Sequence, residues 1–393
     1  MDRGRAQEDS PLVAFAGGGT GGHLYPALAV AGALRERVPR ARIVFFGTQR
    51  YMDERVLNAS DCELVRQGLR ALSGVPWRWP GILLGLRQSG RLCRSRFEAD
   101  RPMAIVGTGG LASVPAVREG VRLGIPTALL NPDALPGRAN RYLATSADIV
   151  FAQWNETVHH LPRRATVRVV GCPVRRVFNE ATRAAGIERF GLRADRHTLL
   201  VTGASQGART INEAVIANIE FLKFRGDWQI LHLTGDAGYE PVRDAYRQRS
   251  VDAKVMRFTE HMAEALAAAD LVISRAGAST LAEITAVGRP SILMPYPFHR
   301  DMHQLANARC LASTPGGPAA RIVNDAADLK TNAPALREAL EHLMGDDSGR
   351  EAMSAAALRI GHGNAATTVA DEVLRLARER GTPVTCESVE ESC

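Results

Sequence analysis

The chain has 393 residues, which suits two domains of ordinary size, because a single core rarely organises more than about 250 to 300 residues. Its net charge of +7 comes almost wholly from arginine, since Lys223, Lys254 and Lys330 are the only lysines. No lysine lies near a glycine loop, which argues against a P-loop nucleotide site and against Schiff-base chemistry. The basic charge fits anionic lipid or phosphorylated substrates. No nucleic-acid-binding motif accompanies it, so we expect no nucleic-acid partner.

The cysteines and the apolar segments set further limits. Six widely spaced cysteines form no Cys-x-x-Cys pair and no metal-binding spacing, so we expect reduced thiols and no metal site. The polar N-terminus lacks the apolar core of a signal peptide, and the uncharged runs are shorter than the roughly 18 residues of a membrane span. We therefore expect a soluble or peripheral protein. We also expect that it needs no cofactor.

The first predicted strand, Leu12 to Ala16, enters a glycine-rich turn that ends at His23, and a helix follows. A glycine-rich turn between a strand and a helix lets the backbone approach a phosphate closely, although a simple tight turn is the plain alternative. His23 can titrate near neutrality and so could act as a base, although a histidine at a helix start is commonly a cap or a packing residue.

After a strand at 43–46, residues 75–96 combine apolar and cationic side chains. The apolar members are Trp77, Trp79, Ile82, Leu83, Leu84 and Leu86, and the arginines are Arg78, Arg87, Arg91, Arg94 and Arg96. This pattern fits a buried core with a solvated edge. It fits equally a patch that lies in the interface of an anionic membrane.

Two series of strands and helices follow one another, and each begins with a glycine loop. In the first series the strand 103–106 leads to a second glycine loop at 107–110. A boundary fits near 172–195, and the strand 198–202 then leads to a third loop at 203–209. This repetition predicts an α/β protein of two Rossmann-like domains that face each other across a cleft.

The segment from Ser274 to Ala308 carries the most specific pattern. A strand at 271–273 runs through a small-residue turn into a helix, where the N-H groups of Ala278 to Thr280 could face phosphate oxygens and Glu283 could accept hydrogen bonds from vicinal hydroxyls. Together these groups would bind a nucleoside diphosphate. The alternative is that Thr280 and Glu283 form a capping box. A second polar cluster, Asp301 to Gln304, follows one strand later.

The sequence of the C-terminal part predicts two amphipathic helices and a tail. The first helix is predicted at 334–343 with Pro334 at its opening position, and the second at 369–378. The acidic tail is predicted to be disordered.

The glycine loops and the segment from Ser274 to Ala308, in this order, resemble the MurG family of glycosyltransferases. The resemblance implies a GT-B fold with an acceptor- and membrane-facing domain at 11–175, a UDP-sugar domain at 196–360, a C-terminal helix at 361–380 and a tail at 381–393. It also implies an inverting, metal-independent transfer of N-acetylglucosamine from UDP-N-acetylglucosamine to the 4-hydroxyl of the muramoyl-pentapeptide of lipid I, which gives lipid II for peptidoglycan synthesis. The implied location is the cytoplasmic face of the inner membrane, as a peripheral protein on an anionic surface.

The resemblance also implies roles for individual residues. His23 is the implied catalytic base, with His299 and His303 as rivals on the donor half. The implied acceptor-binding residues are Gly18, Gly19, Gly107, Thr108, Gly109 and Gly110. The implied donor-binding residues are Thr20, Gly21, Gly22, Asp133, Arg175, Ser205, Thr259, Ala278, Ser279, Thr280, Leu281, Ala282, Glu283 and Gln304.

The chain departs from the family pattern at several positions. Asn131, Pro132 and Asp133 replace the usual Glu, Gln and Asn, Leu111 replaces an aromatic residue, and Cys172 replaces Asn in the Gly-Asn-Pro-Val-Arg segment. These departures leave a related transferase with another lipid or small-molecule acceptor as an alternative. A nucleotide-sugar-binding protein without transferase activity, or a UDP-sugar epimerase, is a third class.

Overall fold

The computed structural model describes residues 10–19, 21–58, 60–69, 79–203, 207–298 and 301–381. The chain divides into two compact units. The first unit runs to Arg175 and resumes at Asn364, and the second unit covers Arg176 to Gly363. Segment 176–195, which the sequence prediction left between two domains, therefore lies in the second unit.

The first unit is built on a parallel seven-stranded sheet in the order β3-β2-β1-β4-β5-β6-β7. Its strands are β1 Leu12–Ala16, β2 Arg42–Gly47, β3 Glu63–Arg66, β4 Ala104–Gly107, β5 Thr127–Asn131, β6 Ile149–Ala152 and β7 Val167–Val169. Its helices are α1 Gly21–Arg37, α2 Tyr51–Asn58, α3 Trp79–Ala99, α4 Ser113–Arg122, α5 Arg138–Leu143, α6 Asn155–His160 and α17 Ala365–Glu379.

Both faces of this sheet are covered, so its strands are apolar on both sides. Along β1, Val13 and Phe15 pack into the core that α1 and α17 share. The alternate residues Ala14 and Ala16 pack into the opposite core, together with Cys93 of α3 and Val117 of α4. This period of two makes the first unit a three-layer αβα arrangement.

The C-terminal helix α17 belongs to the core of the first unit. Val369, Val373 and Leu374 are buried in the same cluster as Leu34 of α1. An ion pair between Arg37 and Asp371 at 2.8 Å borders this packing. The chain thus returns to its first unit after completing the second.

The second unit contains a parallel six-stranded sheet in the order β10-β9-β8-β11-β12-β13. Its strands are β8 His197–Thr202, β9 Trp228–Leu233, β10 Ala253–Met256, β11 Leu271–Ser274, β12 Ser291–Leu293 and β13 Ala320–Ile322. Its helices are α7 Val177–Glu180, α8 Arg183–Phe190, α9 Arg209–Ala217, α10 Ile219–Lys223, α11 Tyr239–Arg249, α12 Met262–Ala268, α13 Ala278–Val287, α14 His303–Ala312, α15 Leu329–Met344 and α16 Asp347–Ile360. The predicted α/β class with two parallel sheets is confirmed.

One local prediction was wrong, and one alternative that the sequence left open is excluded. Pro334 does not open its helix, because Asp328 caps α15 by accepting a hydrogen bond from the Thr331 N-H at 3.1 Å, and the helix begins five residues before the proline. Thr280 and Glu283 do not form a capping box either. Gly277 is the N-cap of α13, so Thr280 is the third helical residue and Glu283 lies in the second turn.

Several predicted residues lie outside the described part of the chain. They are Thr20, Trp77, Arg78, Ser205, His299 and the tail from residue 382 onward.

Candidate functional site

The reversal of strand order in the first unit lies between β1 and β4. In open α/β sheets the crevice at such a reversal, beyond the carboxyl ends of the strands, is where ligands commonly bind. The first glycine loop follows β1 and the second follows β4, so both open at this crevice. The Thr108 N-H donates to the Ala16 carbonyl at 2.8 Å, which joins the two loops at their base.

Two residues that the sequence analysis missed hold the first glycine loop. The buried carboxylate of Asp53 accepts hydrogen bonds from the Gly19 N-H at 2.7 Å and from the N-H and hydroxyl of Thr48 at 2.8 and 2.7 Å. Gly18 has φ +135°, and a Cβ there would lie 2.3 Å from Asp53 Oδ2. From the exposed side, Arg50 donates to the Gly19 carbonyl at 2.8 Å. The loop is therefore fixed in a conformation that only glycine adopts readily.

The imidazole of His23, at the start of α1, faces the second glycine loop. A Cβ on Gly109, which has φ +101°, would lie 3.0 Å from His23 Cε1. Within the described residues, the buried Nδ1 of His23 has no hydrogen-bond partner. Burial lowers the pKa of His23 below its usual value, against the opposing influence of Asp133, of a backbone hydrogen bond with Thr108 and of Asp53. The ring is therefore neutral near pH 7 and able to accept a proton.

The loop after β5 lies beside the second glycine loop and is held by side chains from three directions. Asn131, which is buried, donates through Nδ2 to the Asp133 carbonyl at 2.7 Å. Thr157 donates to the same carbonyl at 3.1 Å, and the Trp154 indole donates to the Pro132 carbonyl at 3.1 Å. Asn140 reaches across from α5 and donates to Asn131 Oδ1 at 3.1 Å. This segment carries three of the departures from the family pattern, and it is rigidly fixed.

Arg175 closes this edge of the first unit. Its guanidinium lies over the ring of Tyr25 at 5.3 Å from the ring centroid, a cation-π contact. Tyr25 is two residues beyond His23 on α1, so the structure brings Arg175 near the helix that carries the implied base. Within the first unit, the predicted residues Gly18, Gly19, Gly21 to His23, Gly107 to Gly110, Asp133 and Arg175 thus gather at the carboxyl edge of one sheet.

The second unit has its own reversal, between β8 and β11. Helix α13 begins directly after β11, and its first N-H groups, on Ala278, Ser279 and Thr280, have no partner within the helix. The hydroxyl group of Ser279 is buried, and it has no hydrogen-bond partner among the described residues. A helix N-terminus with an unsatisfied hydroxyl beside it is suited to an anionic group.

Glu283 and Gln304 lie near this N-terminus. Glu283 is partly exposed in the second turn of α13. The amide oxygen of Gln304 accepts from the Ala276 N-H at 3.3 Å and from the Tyr296 N-H at 2.9 Å, which ties α14 to the loops after β11 and β12. Its acceptor is thus occupied by the protein, while its NH2 group is the part that a ligand could use.

The other predicted donor-site residues of the second unit differ in their burial and in their contacts. Thr259, after β10, is buried, and its hydroxyl accepts from the His261 N-H at 3.0 Å. Leu281 and Ala282 are buried in α13 and can contribute only backbone or apolar contact. His303, the alternative candidate for the catalytic base, contacts Asp301, with 2.7 Å between its Nε2 and the carboxylate Oδ2.

A buried ionic network beneath this edge also escaped the sequence analysis. Arg275, the residue after β11, donates to Asp325 at 2.7 Å, to the Met294 carbonyl at 2.8 Å and to Thr210 of α9 at 2.7 Å. Asn332 donates to the other oxygen of Asp325 at 2.7 Å. The network fixes the loop after β11, the loop after β12 and the start of α9 relative to one another.

Helix α3 shows which side chains of the described part of residues 75–96 are buried and which are exposed. Ile82, Cys93 and Phe97 are buried, whereas Leu83 and Leu84 are 54% and 57% exposed. Arg87 and Arg91 on the same helix are exposed and form no ion pair with any described residue. The helix therefore has a packed face and a separate exposed face that is apolar and cationic. Among the residues that the structure describes, no helix combines the length and the apolarity needed to cross a bilayer.

Comparison with known families identifies both units. Residues 13–152 match the glycosyltransferase family 28 N-terminal domain, and residues 198–373 match the glycosyltransferase family 28 C-terminal domain. The chain is similar to a Thermodesulfovibrio yellowstonii protein, with 35% identity over 93% of this chain and 100% of the relative. It is also similar to one from Sorangium cellulosum, with 38% identity over 93% of this chain and 88% of the relative. Both are named UDP-N-acetylglucosamine--N-acetylmuramyl-(pentapeptide) pyrophosphoryl-undecaprenol N-acetylglucosamine transferase.

Solved structures agree with this result. The MurG of Acinetobacter baumannii matches with a TM-score of 0.74 and 25% identity, over 93% of this chain and 99% of that one. A UDP-GlcNAc 2-epimerase from Neisseria meningitidis matches with a TM-score of 0.64 over 93% of this chain and 100% of that one, but at 14% identity it shows only the shared fold.

Proposed function

Because this chain belongs to glycosyltransferase family 28, we propose that it transfers N-acetylglucosamine from UDP-N-acetylglucosamine to the 4-hydroxyl of the muramoyl unit of lipid I. The product is lipid II, the disaccharide-pentapeptide precursor of peptidoglycan. The observation that carries the proposal is the N-terminus of α13 at the strand-order reversal, with the buried Ser279 hydroxyl unsatisfied and Glu283 one turn along.

The donor is bound by the second unit in this proposal. The N-H groups of Ala278 to Thr280 and the Ser279 hydroxyl would receive the diphosphate, whose charge the helix dipole stabilises by about 0.3 to 1 kcal/mol or more where the site is partly buried. Glu283 would accept from the ribose hydroxyls, and the NH2 group of Gln304 would donate to the sugar. Thr259 would contact the uracil through its backbone, while its hydroxyl accepts a hydrogen bond from the His261 N-H.

The acceptor and the proton are handled by the first unit. The N-H groups of Gly18 and Gly19 and of the second loop, from Gly107 to Gly110, would bind the acceptor. Gly21 and Gly22 would contact the donor, and His23 would remove the proton of the acceptor 4-hydroxyl. As that oxygen attacks the anomeric carbon from the face opposite UDP, the carbon-oxygen bond to the diphosphate breaks and the configuration inverts. A neutral His23 with a lowered pKa is suited to this step.

Membrane attachment is proposed to be peripheral, at the cytoplasmic face of the inner membrane. The support is the exposed face of α3, where Leu83 and Leu84 stand beside Arg87 and Arg91. Apolar side chains inserted among headgroups and arginines near anionic lipid each favour binding, about 1 kcal/mol per arginine. The lipid-linked acceptor would then be reached without leaving the membrane surface.

A transfer assay tests the proposal. Purified protein is incubated with radiolabelled UDP-N-acetylglucosamine and lipid I, and label in lipid II is the expected result. A chain that moves label only to another lipid or a small molecule would be a related transferase with another acceptor. Conversion of UDP-N-acetylglucosamine to its 2-epimer without transfer would contradict the proposal.

A further inference from the structure

A second buried histidine lies in the core of the second unit. His232, on β9, is 0% exposed. Its Nδ1 lies 3.1 Å from the hydroxyl of Tyr246 on α11, and its Nε2 lies 3.1 Å from Oδ1 of Asn212 on α9. Both nitrogens of the ring are therefore hydrogen-bonded, and the imidazole connects two helices that pack in the same hydrophobic core.

The contacts of Asn212 determine which nitrogen of His232 carries the proton. Asn212 donates through Nδ2 to the Thr234 carbonyl at 3.0 Å, so its Oδ1 faces the imidazole as an acceptor. Nε2 of His232 must then donate, and Nδ1 accepts from the Tyr246 hydroxyl. Burial lowers the pKa of His232 to about 3, so the ring is neutral near pH 7. The hydrogen bonds therefore run in one direction, from the Tyr246 hydroxyl through the imidazole and the Asn212 amide to the Thr234 carbonyl.

This chain of hydrogen bonds ends at the third glycine loop. Gly207 has φ +71°, and a Cβ there would overlap the carbonyl oxygen of Thr234. At the other end of the loop, a Cβ on Gly203 would overlap the backbone nitrogen of Ala208. The Thr234 carbonyl thus supports the residue at which the loop leaves for α9, and it leaves room only for glycine at that place.

The third glycine loop opens at the crevice that the donor would occupy. The loop follows β8 and α13 follows β11, and these two strands are neighbours at the reversal of strand order. Both connections therefore begin at the carboxyl edge where ligands of such sheets bind. Beyond the loop, the first turn of α9 is held by Arg275, which donates to the Thr210 hydroxyl at 2.7 Å. A diphosphate at the N-terminus of α13 would meet the backbone of this loop as well.

We propose that His232 is a positioning residue for the donor diphosphate, which acts through Asn212 and the Thr234 carbonyl to fix the third glycine loop in the shape that receives the phosphates. This inference rests on the proposed function, since that function places the diphosphate at this crevice. His232 touches no substrate, because it is fully buried. Its effect should be confined to the phosphates, since the contacts proposed for the uracil and the ribose come from the loop after β10 and from α13.

Three substitutions separate the two ends of the ring. His232→Phe keeps a flat ring and removes both nitrogens. His232→Gln places an amide near the position of Nε2, where it can still donate to Asn212. His232→Asn places an amide near the position of Nδ1, where it reaches Tyr246 but not Asn212. The contact with Asn212 is the one that the proposal requires.

Gln229→Leu is the matched control on the same strand. Gln229 is as buried as His232, at 3% exposed, and its amide exchanges hydrogen bonds with the backbone of Arg193 at 2.8 and 2.7 Å and donates to Thr198 at 3.1 Å. It lies near the start of β9, at the end opposite the glycine loop. The control therefore disturbs a comparable buried network without touching the crevice.

The readout is the ratio of two affinities, measured on the full-length chain by calorimetry for UDP and by NMR titration for uridine. In His232→Phe and His232→Asn we expect UDP affinity to fall about 10-fold, the size of one lost hydrogen bond, while uridine affinity stays within about twofold. His232→Gln should keep the ratio of the wild type. Gln229→Leu should lower the Tm and leave the ratio unchanged.

The outcomes separate positioning from simple stabilisation of the core. If His232→Phe and His232→Asn keep the ratio, or lower both affinities equally, the positioning role is overturned. A loss in His232→Gln as large as in His232→Asn would overturn it too, because donation to Asn212 would then not matter. Should His232→Phe not fold, the comparison of His232→Gln with His232→Asn decides.

Failure of the proposed function is distinguishable from failure of this inference. A wild type that binds UDP no more tightly than uridine has no diphosphate site, and both ideas fail together. A wild type that binds UDP tightly but transfers no sugar to lipid I contradicts the proposed function alone, and the ratio in the His232 variants still decides the inference.

Discussion

The Gly19 N-H donates to Oδ1 of Asp53 at 2.7 Å, and this bond ties the first glycine loop to a buried side chain of α2. Two further hydrogen bonds, from the N-H and hydroxyl of Thr48, hold the same carboxylate in place. The shape of the loop is thus set by a residue 34 positions away in the sequence. A glycine loop can approach a ligand only if something else fixes its conformation, because glycine itself adds no preference.

Replacement of Asp53 is expected to loosen the loop. Asp53→Ala leaves two backbone donors without their buried acceptor, and we expect a loss of at least about 3 kcal/mol in local stability, with each hydrogen bond to a charged group worth about 1.5 to 3 kcal/mol and the sum not additive. Hydrogen exchange of a peptide that spans the loop measures this loss of local stability. Glu54→Ala is the control, since the one ion pair of Glu54 with a described residue is the exposed pair with Arg66, and its loss should cost no more than about 1 kcal/mol. Equal exchange in the two variants would contradict the bracing role of Asp53.

His23→Ala is expected to lower turnover by about 100- to 10,000-fold, the range for loss of a general base, and to leave UDP affinity nearly unchanged. The reason is that a neutral imidazole with a lowered pKa is available to accept a proton near pH 7. Steady-state kinetics and calorimetry measure the two quantities. His303→Ala is the comparison, because His303 already contacts Asp301 and should affect turnover less. A larger loss in His303→Ala than in His23→Ala would transfer the role to His303.

Glu283→Ala is expected to weaken UDP binding. Loss of two buried hydrogen bonds to the ribose, at about 1 to 2 kcal/mol each, predicts about 2 to 4 kcal/mol, or roughly 30- to 1,000-fold in affinity. Calorimetric titration with UDP measures it directly. Glu338→Ala is the matched control in the same unit, since Glu338 is exposed and, among the residues that the structure describes, forms its ion pair with Arg321. Unchanged UDP affinity in Glu283→Ala would remove Glu283 from the donor site.

The architecture was predictable from the sequence because it is a local property repeated along the chain. Each apolar strand ending in a glycine or small-residue turn before a helix, as at Ala16 and Ser274, indicates the same strand-to-helix connection. The predicted strands are accordingly present, with ends that differ by about one residue.

What supports the site was not predictable in the same way. Asp53, Arg275 and Asp325 act through contacts between residues that are far apart in the sequence. No motif or residue spacing predicts such contacts. The capping box that the sequence left open as an alternative at Thr280 is absent for a related reason. Two residues in the right pattern were present, but Gly277, with no side chain to cap, began the helix earlier. The return of α17 to the first unit likewise follows from which apolar face finds a partner, as Val369 and Leu374 do against Leu34.

The exposed face of α3 is expected to determine binding to anionic vesicles. Arg87→Gln combined with Arg91→Gln should weaken binding by about 2 kcal/mol, or about 30-fold, since each arginine contributes about 1 kcal/mol near anionic lipid. Leu83→Ser with Leu84→Ser should weaken binding to neutral and anionic vesicles alike, because it removes inserted apolar area. Vesicle flotation at low salt measures both. Leu358→Ser is the control, because Leu358 is as exposed, at 54%, but lies in the second unit. Equal binding of the wild type to neutral and anionic vesicles would contradict the role of the arginines.

The buried pair of Arg275 and Asp325 predicts an acid-sensitive second unit. Burial by itself would raise the pKa of Asp325, but hydrogen bonds from Thr210, Arg275, Ala327 and Asn332 together hold that pKa below its ordinary value. A carboxyl group with a lowered pKa in the folded state stabilises the fold at any pH above its unfolded pKa of about 3.9, and this stabilisation is lost as the pH falls through the folded value. The second unit should therefore lose stability below about pH 4.

Asp325→Asn removes that dependence and leaves Arg275 buried without its counterion, which typically costs about 3 to 5 kcal/mol. We expect the free energy of opening of β11, measured by hydrogen exchange at pH 7, to fall by this amount and to change less between pH 5 and pH 3 than in the wild type. Asp252→Asn is the control in the same unit, because Asp252 is 60% exposed in its pair with Arg196 and should cost no more than about 1 kcal/mol. Asn keeps the size of Asp325 but replaces one of its two accepting oxygens by an NH2 group, so the loss combines the missing charge with donors that are left without an acceptor. A loss no greater than that of Asp252→Asn would show that the Arg275 network does not stabilise the carboxyl edge from which α13 begins.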